Sequence, residues 1–171
     1  MTELKEINIP ALLDQMAVEL KTLLAGATDP VIVGIPTGGL WVAEALQKKL
    51  GLATPVGCLN ISFHRDDFDR AGLAHEVQPS RLPFEVRDRC VVLVDDVLYT
   101  GRSIRAALNE IFDYARPSAV YLAVLFDRGG RELPIQADVV GAHITLPADQ
   151  EVKLTGPEPL GLQLVQREAP P

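Results

Sequence analysis

Two adjacent carboxylates, Asp95 and Asp96, stand just ahead of a short run that holds Thr100, Gly101 and Ser103. The two halves suit different chemistry. Hydroxyls and backbone N–H groups at the start of a helix suit a phosphate. Carboxylates would repel a phosphate and suit sugar hydroxyls or a metal instead. A ligand with a phosphate at one end and a ribose beside it would satisfy both. Locally a plainer reading is also open, in which the Asp pair ends a strand and Ser103 caps a helix.

The elements that must position these residues follow from the hydrophobic pattern. Cys90 to Val94 is an apolar run rich in Val, as expected of a parallel strand covered on both faces. After Ser103 the apolar residues fall at Ile104, Ala107, Leu108, Ile111 and Phe112, a helical period. The loop between them lies at the carboxyl end of the strand, where such sheets bind ligands. Val31 to Ile35 predicts another strand, broken by Pro36-Thr37-Gly38-Gly39 and followed by a helix from Leu40 to Leu50 with Gly51 behind it. A Gly-rich turn of this kind can offer N–H groups to pyrophosphate, although many such turns hold glycine for steric reasons only. It matches neither a Walker loop nor a dinucleotide fingerprint. Ala119 to Phe126 is the most β-prone stretch and stops at Asp127-Arg128-Gly129-Gly130-Arg131. Strand and helix alternate, which predicts an α/β fold with a parallel sheet. The turns 36–39, 95–103 and 127–131 then converge on one crevice.

Around this frame, residues 10–25 predict an amphipathic helix with Pro10 at its start and Gly26 at its end. Val56 to Phe63 predicts a third strand. Residues 64–83 show no period, and a segment of that length suits a lid or binding loop. Within it Arg65 could hold pyrophosphate, and closure could exclude water; a surface insertion is the alternative. Short strand-like pieces follow at 139–140, 152–154 and 162–166.

A chain of 171 residues, 47% hydrophobic, suits a single domain over 1–171. No apolar run is long enough to predict a membrane helix, and the first residues have no apolar signal core. Cys58 and Cys90 lie in apolar runs rather than in a Cys-x-x-Cys pair, so reduced thiols in a cytoplasmic protein are expected, without zinc. The net charge of −7 is uneven. Residues 1–30 hold five acids and two bases, residues 132–171 six acids and two bases, and the middle twelve of each. Ten of the eleven arginines lie between Arg65 and Arg131. The planar guanidinium fork matches phosphate oxygens.

Val94 to Ser103 reads Val-Asp-Asp-Val-Leu-Tyr-Thr-Gly-Arg-Ser. It resembles the signature of type I phosphoribosyltransferases, with Ser103 for the usual Thr. Leu98-Tyr99 within it resembles the pyrimidine operon regulators that double as uracil phosphoribosyltransferases. Residues 127–134 resemble that family's Asp-Arg-Gly-His-Arg-Glu-Leu-Pro except at Gly130, and 64–68 resemble its Tyr-Arg-Asp-Asp-Leu, keeping Arg65, Asp66 and Asp67. The resemblance implies the type I fold, a parallel sheet flanked by helices, with a small hood from about 127 to 171 and a flexible lid at about 64–83. It implies that uracil and phosphoribosyl pyrophosphate give UMP and pyrophosphate. Mg²⁺ is then held mainly by the pyrophosphate rather than by protein ligands. Asp95 and Asp96 would hold the ribose hydroxyls. Val97, Leu98, Tyr99, Thr100, Gly101, Arg102 and Ser103 would cradle the 5′-phosphate. Thr37, Gly39 and Arg65 would take the pyrophosphate, and backbone groups near Phe126, Asp127 and Arg128 would read uracil. A homodimer or higher oligomer is implied, as is response to UMP or UTP.

The chain departs from the family pattern in two places. Gly38 replaces the arginine of the pyrophosphate loop, which removes a charge-assisted contact, and Pro36 removes a backbone donor. Family members also bind messenger RNA through a basic face. The corresponding positions here are Asp14, Val18, Gly130, Gln136 and Ala142, with only Arg131 retained. RNA affinity rests on neutralising phosphates, and the acidic ends offer no basic patch. Direct RNA binding is therefore disfavoured. The rival readings are a regulator with weak or no catalysis that senses pyrimidine nucleotides, and a binding module that keeps only the fold.

Overall fold

The computed structural model describes residues 4–61 and 79–167. A first helix α1 (Ile9–Leu23) precedes strand β1 (Val31–Gly34), helix α2 (Gly38–Leu50) and a short strand β2 (Gly57–Cys58). Strand β3 (Cys90–Leu98), helix α3 (Arg102–Tyr114), β4 (Ala119–Asp127) and β5 (Val139–His143) follow. Five parallel strands pair in the order β2-β1-β3-β4-β5. Strands β6 (Gln150–Thr155) and β7 (Gly161–Gln166) form a separate antiparallel hairpin.

The central strands read as unbroken apolar runs because each face has its own cover. Ile32, Val92, Val94, Ala123 and Leu125 join the core under α1 and α2. Val31, Val33, Val91, Leu93, Leu122 and Val124 join the core under α3. Successive side chains of a strand point to opposite faces, so both sets must be apolar. The hairpin rests on the first of these cores through Val152 and Leu154, and Trp41 of α2 is half-buried against it.

The helix ends follow local chemistry. Asn8 caps α1, its Oδ1 accepting from Ala11 N at 3.1 Å. Pro10, which marks the helix in the sequence, lies in the first turn, where its missing N–H costs nothing. Gly51 closes α2 with φ 66°.

Two sequence expectations change. Strand β3 does not stop at Val94, because β4 continues beside it and pairs Asp95 with Val124, Val97 with Phe126 and Leu98 with Asp127. The two carboxylates therefore lie within a strand. The strand expected over 56–63 is only Gly57–Cys58 among the described residues, with Cys58 bridged to Arg81. Within 127–171, β5 completes the sheet edge, and only the β6–β7 hairpin stands apart from the sheet. Most of the loop expected at 64–83, with Arg65, lies outside the described residues.

Cys90 is buried and Cys58 half-buried, and both are free thiols. Burial pushes both thiols up, opposed at Cys58 by the charge of Arg81. No helix among the described residues is long and apolar enough to cross a membrane.

Candidate functional site

The loop after β3 is held by its carbonyls. Leu98 O accepts from Arg128 N at 3.0 Å, and Thr100 O accepts from Glu132 N at 2.9 Å and Leu133 N at 3.2 Å. Between them Tyr99 O accepts from Arg131 Nη1 at 2.7 Å. Three consecutive carbonyls thus face the segment that follows β4. The peptide bonds here are trans, and a planar trans peptide sets each carbonyl opposite the next residue's N–H. The N–H groups of Tyr99, Thr100 and Gly101 therefore turn away from that segment, into a cleft. The N-terminus of α3 adds its partial positive charge at the same place. Such a concave set of donors suits an anion.

Gly101 is required twice over. Its φ is 93°, and a Cβ there would lie 3.0 Å from Ile135 Cγ1.

The cleft has a volume of about 730 Å³. Val97 to Ile104 line it on one side, and Arg128, Glu132, Glu151, Val152 and Arg167 on the other. Asp95 also lines it and is only 7% exposed. A Cβ on Gly39 would sit 3.2 Å from Asp95 Oδ1, and Asp96, the next residue in the strand, meets the same loop. Its carboxylate lies against loop 36–39, where a Cβ on Gly38 would sit 2.2 Å from Asp96 Oδ2. Each carboxylate accepts from the following backbone N–H, Asp95 Oδ1 from Asp96 N at 2.9 Å and Asp96 Oδ1 from Val97 N at 2.8 Å.

The Pro36–Thr37 peptide is cis, and Thr37 stands at the N-cap of α2 without a side-chain cap bond. Gly39 lies directly on β3, since a Cβ there would be 2.8 Å from Val94 O. Turn 36–39 thus meets the end of β3, and 127–131 meets 98–100; the cleft's lining includes Arg128 but no residue of 36–39.

The individual residues sort by role. Leu98 and Phe126 are buried in the two cores and Val97 packs against the α1–α2 core, so they serve as scaffold and offer the site only backbone. Arg102 lines the cleft and pairs with Glu132 at 2.8 Å. Asp127 turns its carboxylate to Gly129 N at 2.9 Å and Arg131 Nη2 at 2.6 Å.

Tyr99 carries more than its backbone. Its ring lies 4.0 Å from the Arg128 guanidinium and 4.8 Å from that of Arg167. It also covers Gly130, whose φ is 78° and whose Cβ would be 2.5 Å from Tyr99 Cε2. A side chain at 130, such as the histidine of the family pattern, would require the Tyr99 ring to shift. Glu151, Val152 and Arg167 were not legible as site residues. They reach the cleft only because the hairpin docks there, and nothing local in their sequence marks it.

Arg131 joins three segments. Besides Tyr99 O and Asp127 Oδ2, its Nε donates to Ile135 O at 2.9 Å. The one basic residue retained from the expected RNA face thus spends its guanidinium inside the fold. Among the described residues there is no cluster of three or more His, Cys, Asp or Glu that could hold a metal.

A family profile for the phosphoribosyl transferase domain matches residues 3–158. The "Bifunctional protein PyrR" of Nitrosococcus oceani is 56% identical over 158 residues, covering 90% of this chain and 89% of that protein. That of Pseudomonas putida is 55% identical over 158 residues, covering 91% and 92%. The chain belongs to the PyrR family.

Its fold is that of the phosphoribosyltransferases. A hypoxanthine-guanine phosphoribosyltransferase from Bacillus anthracis superposes with a TM-score of 0.64 at 14% identity, over 80% of this chain and 77% of that one. The hypoxanthine phosphoribosyl transferase of Trypanosoma cruzi gives 0.61 at 21% identity, over 83% and 76%. At those identities the sheet and its cover are shared, whereas the PyrR relatives match in sequence along the cleft-bearing chain itself.

Two predictions follow from Arg131 and Asp127 in this PyrR-family site. Replacing Arg131 by Ala removes the cation paired with the largely buried Asp127, leaving it only the Gly129 N–H, and strips two carbonyls of this donor; it should cost roughly 3 kcal/mol of stability. Chemical denaturation of the variant and wild type measures this. Burial raises the Asp127 pKa, but the hydrogen bonds of Arg131 and Gly129 and the charges of Arg131 and His143 outweigh it and hold the group below the ordinary 3.8. A carboxylate depressed on folding stabilises the fold above its unfolded pKa, and the gain is lost as pH falls through the folded value. Unfolding free energy should therefore drop as pH falls below about 3.8, and less steeply in Asp127→Asn than in wild type.

Proposed function

We propose that this chain transfers the phosphoribosyl group of phosphoribosyl pyrophosphate to N1 of uracil, forming UMP and pyrophosphate. The observation that carries the reading is the set of N–H groups at 99–101 opening beside Asp95, in a chain of the PyrR family. The 5′-phosphate takes those donors together with Thr100 and Ser103. Asp95 and Asp96, both beside loop 36–39, take the ribose hydroxyls. Thr37 and Gly39, joined by Arg65, receive the pyrophosphate. Uracil lies toward the end of β4 and the hairpin, read by backbone near Phe126, Asp127 and Arg128.

In the reaction the bond from C1 to the pyrophosphate oxygen breaks, and its electron pair leaves with pyrophosphate. Uracil N1 forms the new bond to C1 and gives up its proton to solvent or to the departing pyrophosphate. The ribose gains positive charge between these events, and the Asp95 carboxylate stabilises it at close range in a largely buried position. No side-chain nucleophile is needed, since positioning supplies much of the barrier reduction. Mg²⁺ would be held mainly by the pyrophosphate, with the hard carboxylate oxygens of Asp95 and Asp96 nearby. When bound, Mg²⁺ supplies neutralisation of the leaving pyrophosphate.

The test is UMP formation from uracil and phosphoribosyl pyrophosphate with magnesium. Turnover supports the proposal; no UMP at saturating substrates rejects it. Asp95→Asn should lower kcat/KM by roughly 10²-fold, and an unchanged value removes Asp95 from its role.

A second reading has its own support, because the relatives carry the printed name "Bifunctional". It makes the chain a pyrimidine-sensing regulator that binds RNA. The acidic ends and the inward use of Arg131 count against it. Gel-shift titration with a pyrimidine-operon leader RNA across a salt series decides the point. Weak binding with a shallow salt slope is expected; tight binding that falls steeply with salt overturns the charge argument.

A further inference from the structure

We infer that Arg167, which follows β7, is a further binding residue of the cleft and brings its guanidinium to the 5′-phosphate of the ligand. Three arginines line the cleft, Arg102, Arg128 and Arg167. Two of them are engaged by other parts of the fold. Arg128 donates from Nη1 to Gln150 O at 2.9 Å and from Nη2 to Pro147 O at 3.3 Å. Arg102 donates from Nε to Glu132 Oε2 at 2.8 Å. Arg167 is held differently. Its backbone N donates to Asp149 O at 2.7 Å, which fixes it at the base of the hairpin. Its guanidinium lies 4.8 Å from the Tyr99 ring centroid, and its Nε is 3.6 Å from Glu151 Oε2. Among the described residues neither of its terminal nitrogens is committed to a hydrogen bond.

A planar fork of N–H donors is thus left at the cleft wall, beside Tyr99. Tyr99 is also the first of the three residues whose N–H groups turn into the cleft. Its ring therefore sets a full positive charge next to backbone donors that carry none. Such a fork matches phosphate oxygens in shape and in charge. Uracil is uncharged and gains far less from it, so the contribution falls on the phosphate end of the ligand. The hairpin wall needs the cation as well. Glu151 lines the same wall, and its carboxylate alone would repel a phosphate. Arg167 offsets that charge, and its long side chain can turn toward an anion without giving up a hydrogen bond. Arg167 stands beyond residues 3–158, the part of the chain that the family profile matches.

This role rests on the proposed phosphate site at 99–101, and one experiment keeps the two apart. Kd for UMP is measured by calorimetry, and Kd for uridine by displacement of UMP, in wild type and in Arg167→Gln. UMP binding should weaken roughly tenfold in the variant with uridine binding little changed, so the preference for UMP over uridine shrinks. An unchanged preference overturns the inference. Equal weakening of UMP and uridine overturns it too, since Arg167 would then hold the hairpin or face the base. Where uridine fails to displace UMP, the salt dependence decides. Kd for UMP should rise less steeply with salt in the variant, and equal slopes overturn the inference. Repeating Arg167→Gln in a Glu151→Gln background separates contact from neutralisation. A persisting loss of UMP binding is expected there, and no loss overturns the phosphate contact. A wild-type protein that binds UMP no more tightly than uridine rejects the phosphate site at 99–101 together with this role. The expected pattern in a protein that forms no UMP would instead refute the proposed reaction and leave Arg167 at the phosphate.

Discussion

A peptide group cannot turn its carbonyl one way without turning the following N–H the other. The cleft depends on that constraint. Strand β4 ends, the chain passes through 128–133, and this segment takes up the carbonyls of Leu98, Tyr99 and Thr100 in succession. The donors of the next three residues are left facing the cleft as a consequence. An anion site thus arises without a lysine or arginine of its own at those positions. Had the segment instead accepted the loop's N–H groups, the same residues would have shown a phosphate their carbonyls.

The segment at 127–135 must itself be held to do this. Arg131 is central, because one planar fork reaches Asp127, Tyr99 and Ile135. Two glycines with positive φ let the surfaces close. Gly101 admits Ile135, and Gly130 admits the Tyr99 ring. The ring then carries Arg128 and Arg167, which brings the end of the β6–β7 hairpin to the cleft. Regions distant in sequence meet at Tyr99, a residue whose local pattern marks it only as part of a loop.

Much of this was legible in the sequence, and for identifiable reasons. Switches from apolar runs to helical period located β1, α2, β3, α3 and β4, because these elements are buried on defined faces and composition must follow. That 36–39 meets the end of β3, and 127–131 meets 98–100, followed from parallel topology. What was not legible depends on pairing between strands. The extension of β3 through Asp95 and Asp96 is set by β4, not by its own residues, and it brings both carboxylates against loop 36–39. The use of Arg131 as an internal clamp was hidden for the same reason, since an exposed and an internal arginine look alike in sequence. Gly38 and Gly130 looked like losses from a family pattern. In this structure a side chain at either position would meet that of a neighbour, Asp96 or Tyr99.

The orientation of the loop donors can be read directly. Amide hydrogen exchange at Tyr99, Thr100 and Gly101, compared without ligand and with saturating UMP, reports whether those N–H groups take the 5′-phosphate. Marked slowing of exchange at all three on binding is the expected result. UMP bound at saturation with exchange at these amides unchanged would contradict it, and would place the phosphate elsewhere.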